Sequence, residues 1–342
     1  MRGSIGIHVI CLFVFAALCF RSLTHRSFAR LRARAREEIE DEVRDGSVYE
    51  FDRKFLFKVL CLGNSQLAQV AKCRGPNCQV NTACSGTTTG LSIASDWIRL
   101  GRCKRVVVIA GDSASSDALL PFIGNGFVAL GAATTKASVD EGARPFNPSR
   151  SGMIVGSGGV GIVLESASVA TLRSAPILAH LIHSQFSNSA YHGAAMSSPH
   201  IASELTRFLA DVEKLHGITK QEIAQHGVYY AHETSTNSSP TASCSYNEIT
   251  ALRSVFGSEL LSRMLITNTK GFTGHSMGVS FEDAACCSGL KQQKVPPVAN
   301  LNEIDKHLGD IKLSEGGDYA HRYSLRLGAG FGSQVAWALY GR

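Results

Sequence analysis

From Phe55 to the carboxyl terminus, short β-branched runs alternate with longer segments of helical periodicity, and this alternation is the strongest constraint on the fold. Runs such as RVVVIA (105–110), GIVLE (161–165) and GVYYA (227–231) have the length and side chains of buried strands. Between them, segments such as 202–215, 247–256 and 277–293 carry apolar residues at helical spacing. We expect helices over 64–71, from Cys84 to near Gly101, and over 124–130, 202–215, 220–225, 247–256 and 277–293. Strands are expected over 79–82, 105–110, 161–165, 177–182, 227–231, 265–267, 323–327 and 334–339. Strands alternating with helices predict an α/β chain with a mostly parallel sheet. With 342 residues, 44% of them hydrophobic and 33 of them glycine, the chain can bury a large core and make many close backbone contacts.

The amino-terminal part reads differently. Residues 5–20 (IGIHVICLFVFAALCF) are almost wholly apolar, and residues 21–36 carry six arginines with no acid. Three readings stay open: an anchor helix with an Arg-rich flank, a two-part targeting leader, or a mis-assigned start. Membrane association through 5–20 and an organelle-type location follow from the first two. Residues 37–54 read as a charged linker. Much of the net charge of +6 lies in the arginine run, so it argues weakly for an acidic partner and not for nucleic acid. The ten cysteines form no C-x-x-C pair and no zinc spacing, so neither a metal site nor a disulfide framework is expected.

Three stretches suit chemistry. In Val80–Gly90 (VNTACSGTTTG), a cysteine set among small residues opens a helical pattern. A thiol there faces unpaired N–H groups and the positive end of the helix dipole, which favours the thiolate. The bland alternative is that Cys84 is a small buried hydrophobe. In 229–236 (YYAHETST) a β-run ends in His232 within a hydroxyl-rich turn. In 267–278 (TNTKGFTGHSMG) a strand gives way to Lys270, a glycine-flanked His275 and a helix. One thiol and two strand-end histidines are the parts of a thiolate–imidazole site. The literal G-x-G-x-x-G at 156–161 precedes a strand instead of following one, so close backbone packing explains it better than a nucleotide.

Taken together, these segments resemble the β-ketoacyl-(acyl carrier protein) synthases of the thiolase superfamily, in the elongating Cys-His-His class. The family's T-A-C-S is matched by Thr82–Ser85, its A-H-G-T-G-T by Ala231–Thr236, and its T-K-x-x-x-G-H by Thr269–His275. Its D-A-Y-H appears as Ser189–His192 and its G-F-G-G as Gly330–Ser333. Arg144–Phe146, Arg150–Gly152, Gly156–Gly158 and Val163–Glu165 complete the series in family order.

The resemblance implies a thiolase-like fold of two α/β halves, 55–165 with Cys84 and 166–342 with the histidines, in helix-sheet-helix-sheet-helix layers and usually dimeric. It implies decarboxylative condensation of acyl and malonyl thioesters, delivered on the phosphopantetheine arm of an acyl carrier protein, in fatty acid or polyketide elongation. Cys84 would carry the acyl group, and the N–H groups of Cys84 and Phe331 would form the oxyanion hole. Neutral His232 and His275 would stabilise the enolate, Lys270 would hold the histidine loop, and Phe331 would gate the acyl pocket. Thr234, Thr236, Gly330 and Gly332 would contact substrate. No cofactor or metal is implied.

Glu233 and Ser235 stand where the family has glycine, and Glu233 is expected to reshape the backbone beside His232. Ser157, Ser151 and Ser189 also depart from the family's acids, suggesting a polyketide or polyunsaturated-fatty-acid branch. The segment ahead of Cys84 is shorter than the family's, so the first half is expected to be incomplete. Two other readings are a non-catalytic partner subunit of a synthase and a cysteine protease using Cys84 and His232.

Overall fold

A computed structural model describes residues 5–8, 63–237 and 243–342. The chain divides into two compact units, residues 20–80 and a larger one formed by 1–19 with 81–342. Among the described residues, the smaller unit holds helix α1 (Gly63–Ala71). An Asn64–Asn77 side-chain hydrogen bond of 2.9 Å staples the turn after it.

The larger unit is built on one nine-stranded sheet. Its first six strands are β1 (Ile5–His8), β2 (Arg105–Asp112), β3 (Gly158–Ser166), β4 (Ala179–Asn188), β5 (Gly227–Tyr230) and β6 (Leu265–Thr267). β7 (Lys294–Val295) and β9 (Gly317–Asp318) pair with each other outside it. β8 (Lys312–Leu313), β10 (Tyr323–Gly330) and β11 (Gln334–Gly341) complete it, in the order β2-β3-β1-β4-β11-β10-β5-β6-β8.

The expected mostly parallel sheet is corrected to a mixed one. From β2 to β10 every neighbouring pair is antiparallel, and only β10-β5-β6-β8 are parallel. At the centre the tight β10–β11 hairpin imposes an antiparallel pair, and β11 pairs antiparallel with β4 on its other side. Residues 5–8, expected in a leader, are a strand paired on both sides, with β3 and β4. A short apolar run serves a central strand as readily as a helix. The rest of that apolar segment, the arginine run and the charged linker lie outside the described residues. Among the described residues no helix is long and apolar enough to cross a membrane.

The helices continue as α2 (Gly86–Arg99), α3 (Leu120–Ala129), α4 (Val139–Gly142), α5 (Ala167–Leu172), α6 (Ser198–His216), α7 (Lys220–His226), α8 (Cys244–Arg263), α9 (Lys270–Thr273) and α10 (Phe281–Gln292). The short α4, α5 and α9 are unexpected; the others are the expected helices. The strand expected over 79–82 does not form. The chain instead enters a 3-10 turn at Ala83–Ser85, where Ala83 adopts φ 47°.

Alternation along the central strands sorts the core into two layers. Tyr229, Leu325, Leu327, Val335, Trp337 and Leu339 pack on one face with α6, α7 and α8. Val228, Tyr230, Ala338 and Tyr340 pack on the other with α2 and α10. Trp337 is 1% exposed and lies beside Phe208 and Tyr229. Burying each such aromatic is worth roughly 2–3 kcal/mol, so this centre fixes the sheet on which the site is mounted.

Candidate active site

The site lies where β5, β6 and β10 end, all three pointing the same way. His232 follows β5 after one residue, Lys270 opens the short helix after β6, and Phe331 begins the β10–β11 turn. Cys84 comes from the other side, in the 3-10 turn that feeds α2. That turn is set by contacts far away in sequence. The Thr87 N–H and hydroxyl both donate to the Gly278 carbonyl, at 3.1 and 2.6 Å. A Cβ on Gly330 would come within 2.6 Å of the Thr82 carbonyl and 2.9 Å of the Cys84 nitrogen, so only glycine lets the hairpin approach the thiol.

His275 Nε2 lies 3.0 Å from Cys84 Sγ. The His232 ring stands edge-on to the His275 ring, with centroids 5.8 Å apart. The Ala329 N–H donates to His232 Nδ1 at 3.4 Å, which leaves the proton of the neutral ring on Nε2. His275 Nδ1 is buried and has no hydrogen-bond partner among the described residues.

Each histidine is held by its backbone. The His232 and Glu233 N–H groups donate to the two oxygens of buried Glu248, at 2.6 and 3.1 Å, and the Tyr229 hydroxyl donates to the same carboxyl. The His275 N–H donates to the Ile154 carbonyl at 2.7 Å, and the His275 carbonyl accepts from the Gly156 N–H at 3.0 Å. The G-x-G-x-x-G stretch is therefore a packing device, as read from the sequence. Gly156 lies against Thr273 and Gly274, and Gly274 sits at φ 67°.

The electrostatics differ from the sequence expectation at one point. Burial pushes the Cys84 thiol up to about 11, against the opposing pull of Lys270 and hydrogen bonds from the Phe331 and Cys84 N–H groups. The helix-start position thus does not by itself make a thiolate, because Cys84 is 8% exposed and desolvation outweighs the dipole. Both imidazoles are neutral. Burial, then Lys270, lowers His275 to about 3, and the same causes hold His232 well below its ordinary range.

Lys270 Nζ donates to Glu282 Oε1 at 2.7 Å, and Thr269 donates to the same oxygen at 2.9 Å. Lys270, with Arg326 behind it, holds the Glu282 carboxyl far below the usual carboxylate range although burial alone would raise it. Glu248, Glu282 and Arg326 are the parts that sequence reasoning missed. The two acids sit in helices α8 and α10, and Glu282 in a first turn looks like an ordinary complement to the helix dipole.

The remaining expected positions fall around this centre. Thr234 donates to Cys244 Sγ at 3.3 Å, and Thr236 accepts from the Cys244 N–H at 3.2 Å. Gly332 sits at φ 76° and donates to the Gly193 carbonyl at 2.8 Å. Ser333 binds the Tyr191 and His192 N–H groups, so the Ser189–His192 segment lies beside the Phe331 turn. The Phe331 ring stacks on Phe127 at 5.7 Å, against a small apolar cluster of Ala114, Phe127, Met153 and Val155. Glu233 does not reshape its own backbone: it stays outside the left-handed region that Ser235 enters at φ 61°. Its Oε1 accepts the Ser235 N–H at 3.0 Å and lies 3.9 Å from Arg150, which ion-pairs with Asp305 at 2.8 Å. The thiol's hydrogen bond goes to His275, whereas the protease reading requires His232.

Residues 33–170, including Cys84, match the model of the β-ketoacyl synthase N-terminal domain. Nodulation protein E of Rhizobium meliloti is 33% identical over 68% of this chain and 53% of its own length. The 3-oxoacyl-[acyl-carrier-protein] synthase 2 of Vibrio cholerae is 30% identical over 69% and 54%. The chain thus spans about half the length of these relatives. Among solved structures, a type II polyketide ketosynthase, AntDE, in complex with its acyl-carrier protein superposes with a TM-score of 0.71, 25% identity and coverage of 81% of this chain and 66% of that one. With the sheet, the cysteine turn and the two histidine loops in place, these matches mean that the chain belongs to the β-ketoacyl synthase family and has its thiolase-like fold.

Proposed function

We propose that this chain condenses an acyl thioester with a malonyl thioester through an acyl group carried on Cys84. The observation that carries the reading is the 3.0 Å contact between Cys84 Sγ and His275 Nε2, beside a second neutral histidine, with all three residues buried. In the first half-reaction His275 takes the thiol proton as the sulfur attacks the acyl carbonyl, and the proton leaves with the departing thiol. Local proton transfer suits a thiol whose pKa is raised, because no free thiolate has to accumulate. The N–H groups of Cys84 and Phe331, which approach the sulfur, would receive the carbonyl oxygen, and that approach supports the reading.

In the second half-reaction the malonyl carboxylate leaves as carbon dioxide, and its electron pair becomes an enolate. His232 presents Nε2–H to the enolate oxygen. His275, with no partner fixing Nδ1, can change tautomer and present Nε2–H as well. The enolate carbon attacks the acyl carbonyl, the carbon–sulfur bond breaks, and the Cys84 thiolate takes up a proton from solvent, replacing the one that left with the first thiol. Lys270 acts through Glu282, and the Phe127–Phe331 stack closes the acyl pocket.

Acyl carrier protein is the proposed donor. The AntDE neighbour was solved with its carrier, and this chain's charge of +6 suits an acidic protein. A homodimer is proposed through the sheet edge at β2, where Val107 and Ile109 are 42% and 48% exposed. Intact-protein mass spectrometry tests the reading: octanoyl thioester should add one acyl group at Cys84, and malonyl thioester should then discharge it as a product two carbons longer. Absence of an adduct on Cys84 would sink it.

A further inference from the structure

Arg326 has no counterpart among the residues assigned so far. It lies in β10 opposite Ala338 and Tyr230. Its neighbours Leu325 and Leu327 belong to the core layer of α6–α8, so the guanidinium projects to the other face, where α10 begins. The side chain is 1% exposed. Its Nη2 is 3.3 Å from Glu282 Oε2, its Nε is 3.4 Å from the Ser280 hydroxyl, and Nη1 has no hydrogen-bond partner among the described residues. Lys270 holds the opposite oxygen of the same carboxyl. Beside Glu282, Asp283 accepts from the Thr88 and Tyr340 hydroxyls. A buried arginine with two weak contacts is costly to keep for hydrogen bonding alone.

We infer that Arg326 is a positioning residue of the condensing site: it grips Glu282 from the side opposite Lys270, and it is the second cation, with Lys270, that acts on His232 and His275. Without it, only Lys270 offsets Glu282, and the site loses its net positive charge. Both imidazoles feel Arg326 as a positive neighbour. The other titratable groups around the site are Cys84 with Asp112 behind it, Glu248 under the His232 turn, Tyr229 and Cys286. None of these supplies a cation. Losing that positive charge would favour imidazolium, and protonated His275 cannot accept the Cys84 proton. The inference rests on the proposed roles of His232 and His275, but its test does not depend on turnover.

The test follows the ring titrations of His232 and His275 by carbon–proton NMR in the full chain, with ¹³C-labelled histidine. It compares the wild type with Arg326→Met, Arg326→Gln and Arg326→Lys, and records carbon dioxide release from malonyl-coenzyme A against pH in parallel. Losing one charge several ångströms away should raise both ring pKa values by about one pH unit at an effective dielectric near 20. The acid limb of carbon dioxide release should follow, and Arg326→Lys should restore the wild-type titration. Folded Met or Gln variants with unmoved rings would overturn the inference. If neither neutral variant folds, Arg326→Lys decides: unmoved rings support the charge role, and shifted rings refute it. A wild type that releases no carbon dioxide would sink the proposed reaction while leaving the titrations to judge Arg326.

Discussion

A methyl group at Gly156 should disable the site from a distance. The Cβ of Gly156→Ala would stand 2.3 Å from the Thr273 carbonyl oxygen and 3.1 Å from Gly274 Cα. Both neighbours are backbone, so neither can rotate aside, and the loop must retreat by about 1 Å to restore ordinary contact. The loop in question leads directly into His275, whose Nε2 is 3.0 Å from Cys84 Sγ. Retreat would break that contact. Overpacking of this kind costs about 1–3 kcal/mol, or roughly 2–4 °C of melting temperature per kcal/mol for a domain of this size. A catalytic group misplaced by 1 Å costs about 100-fold in rate. The expected signature is thus a modest loss of stability with a large loss of single-turnover Cys84 acylation, read by intact mass. Gly161→Ala is the control, since a Cβ there meets nothing closer than the Ile109 side chain at 3.9 Å. Acylation of Gly156→Ala within about threefold of the wild type, far short of the loss a 1 Å shift implies, would refute the reasoning.

Four further outcomes are expected. Cys84→Ala should accept no acyl group yet still release carbon dioxide from malonyl thioester, and an adduct on that variant would move the nucleophile elsewhere. His275→Asn should slow both half-reactions, because the one imidazole serves both; loss confined to decarboxylation would deny it the thiol proton. Asp305→Ala should cost about 3 kcal/mol in chemical denaturation, because it removes the close partner of buried Arg150 and leaves only Glu233 at 3.9 Å. Stability should rise with pH from about 4.5 to 6.5, since the unfolded chain protonates histidines that the fold keeps neutral, His183 (about 4), His275 (about 3) and His232. Glu248, raised to about 7 by burial, opposes this trend with a slope for one proton, so Glu248→Gln should steepen the rise in melting temperature.

The parts of the site that were legible in the sequence are contiguous. Thr82–Ser85, Ala231–His232 and Lys270–His275 each carry their chemistry within a few residues, next to a strand end that periodicity locates. What supports them was illegible because it is assembled across the fold. Glu248 caps the His232 turn from 16 residues away, and Arg326 reaches Glu282 from 44 residues away. Nothing local distinguishes Glu282 from a surface acid at a helix start. The longer helices and most strands were legible from side-chain pattern, but sheet direction was not, because it depends on how the β10–β11 hairpin closes against β4 and β5. The thiol was misjudged for a related reason: the helix-start position is local, whereas the burial that outweighs it comes from packing with segments nearly two hundred residues later.

The 191 residues separating Cys84 from His275, bridged by the Thr87–Gly278 hydrogen bonds, carry a kinetic consequence. Loop closure over such a span is slow and comes late, after local helices and hairpins have formed. Cys84 should therefore be among the later parts of the larger unit to find its neighbours during folding. Until then its sulfur is an ordinary exposed thiol, open to oxidants and alkylating agents. The rate at which it becomes protected reports completion of the whole larger unit, not of the helix that carries it.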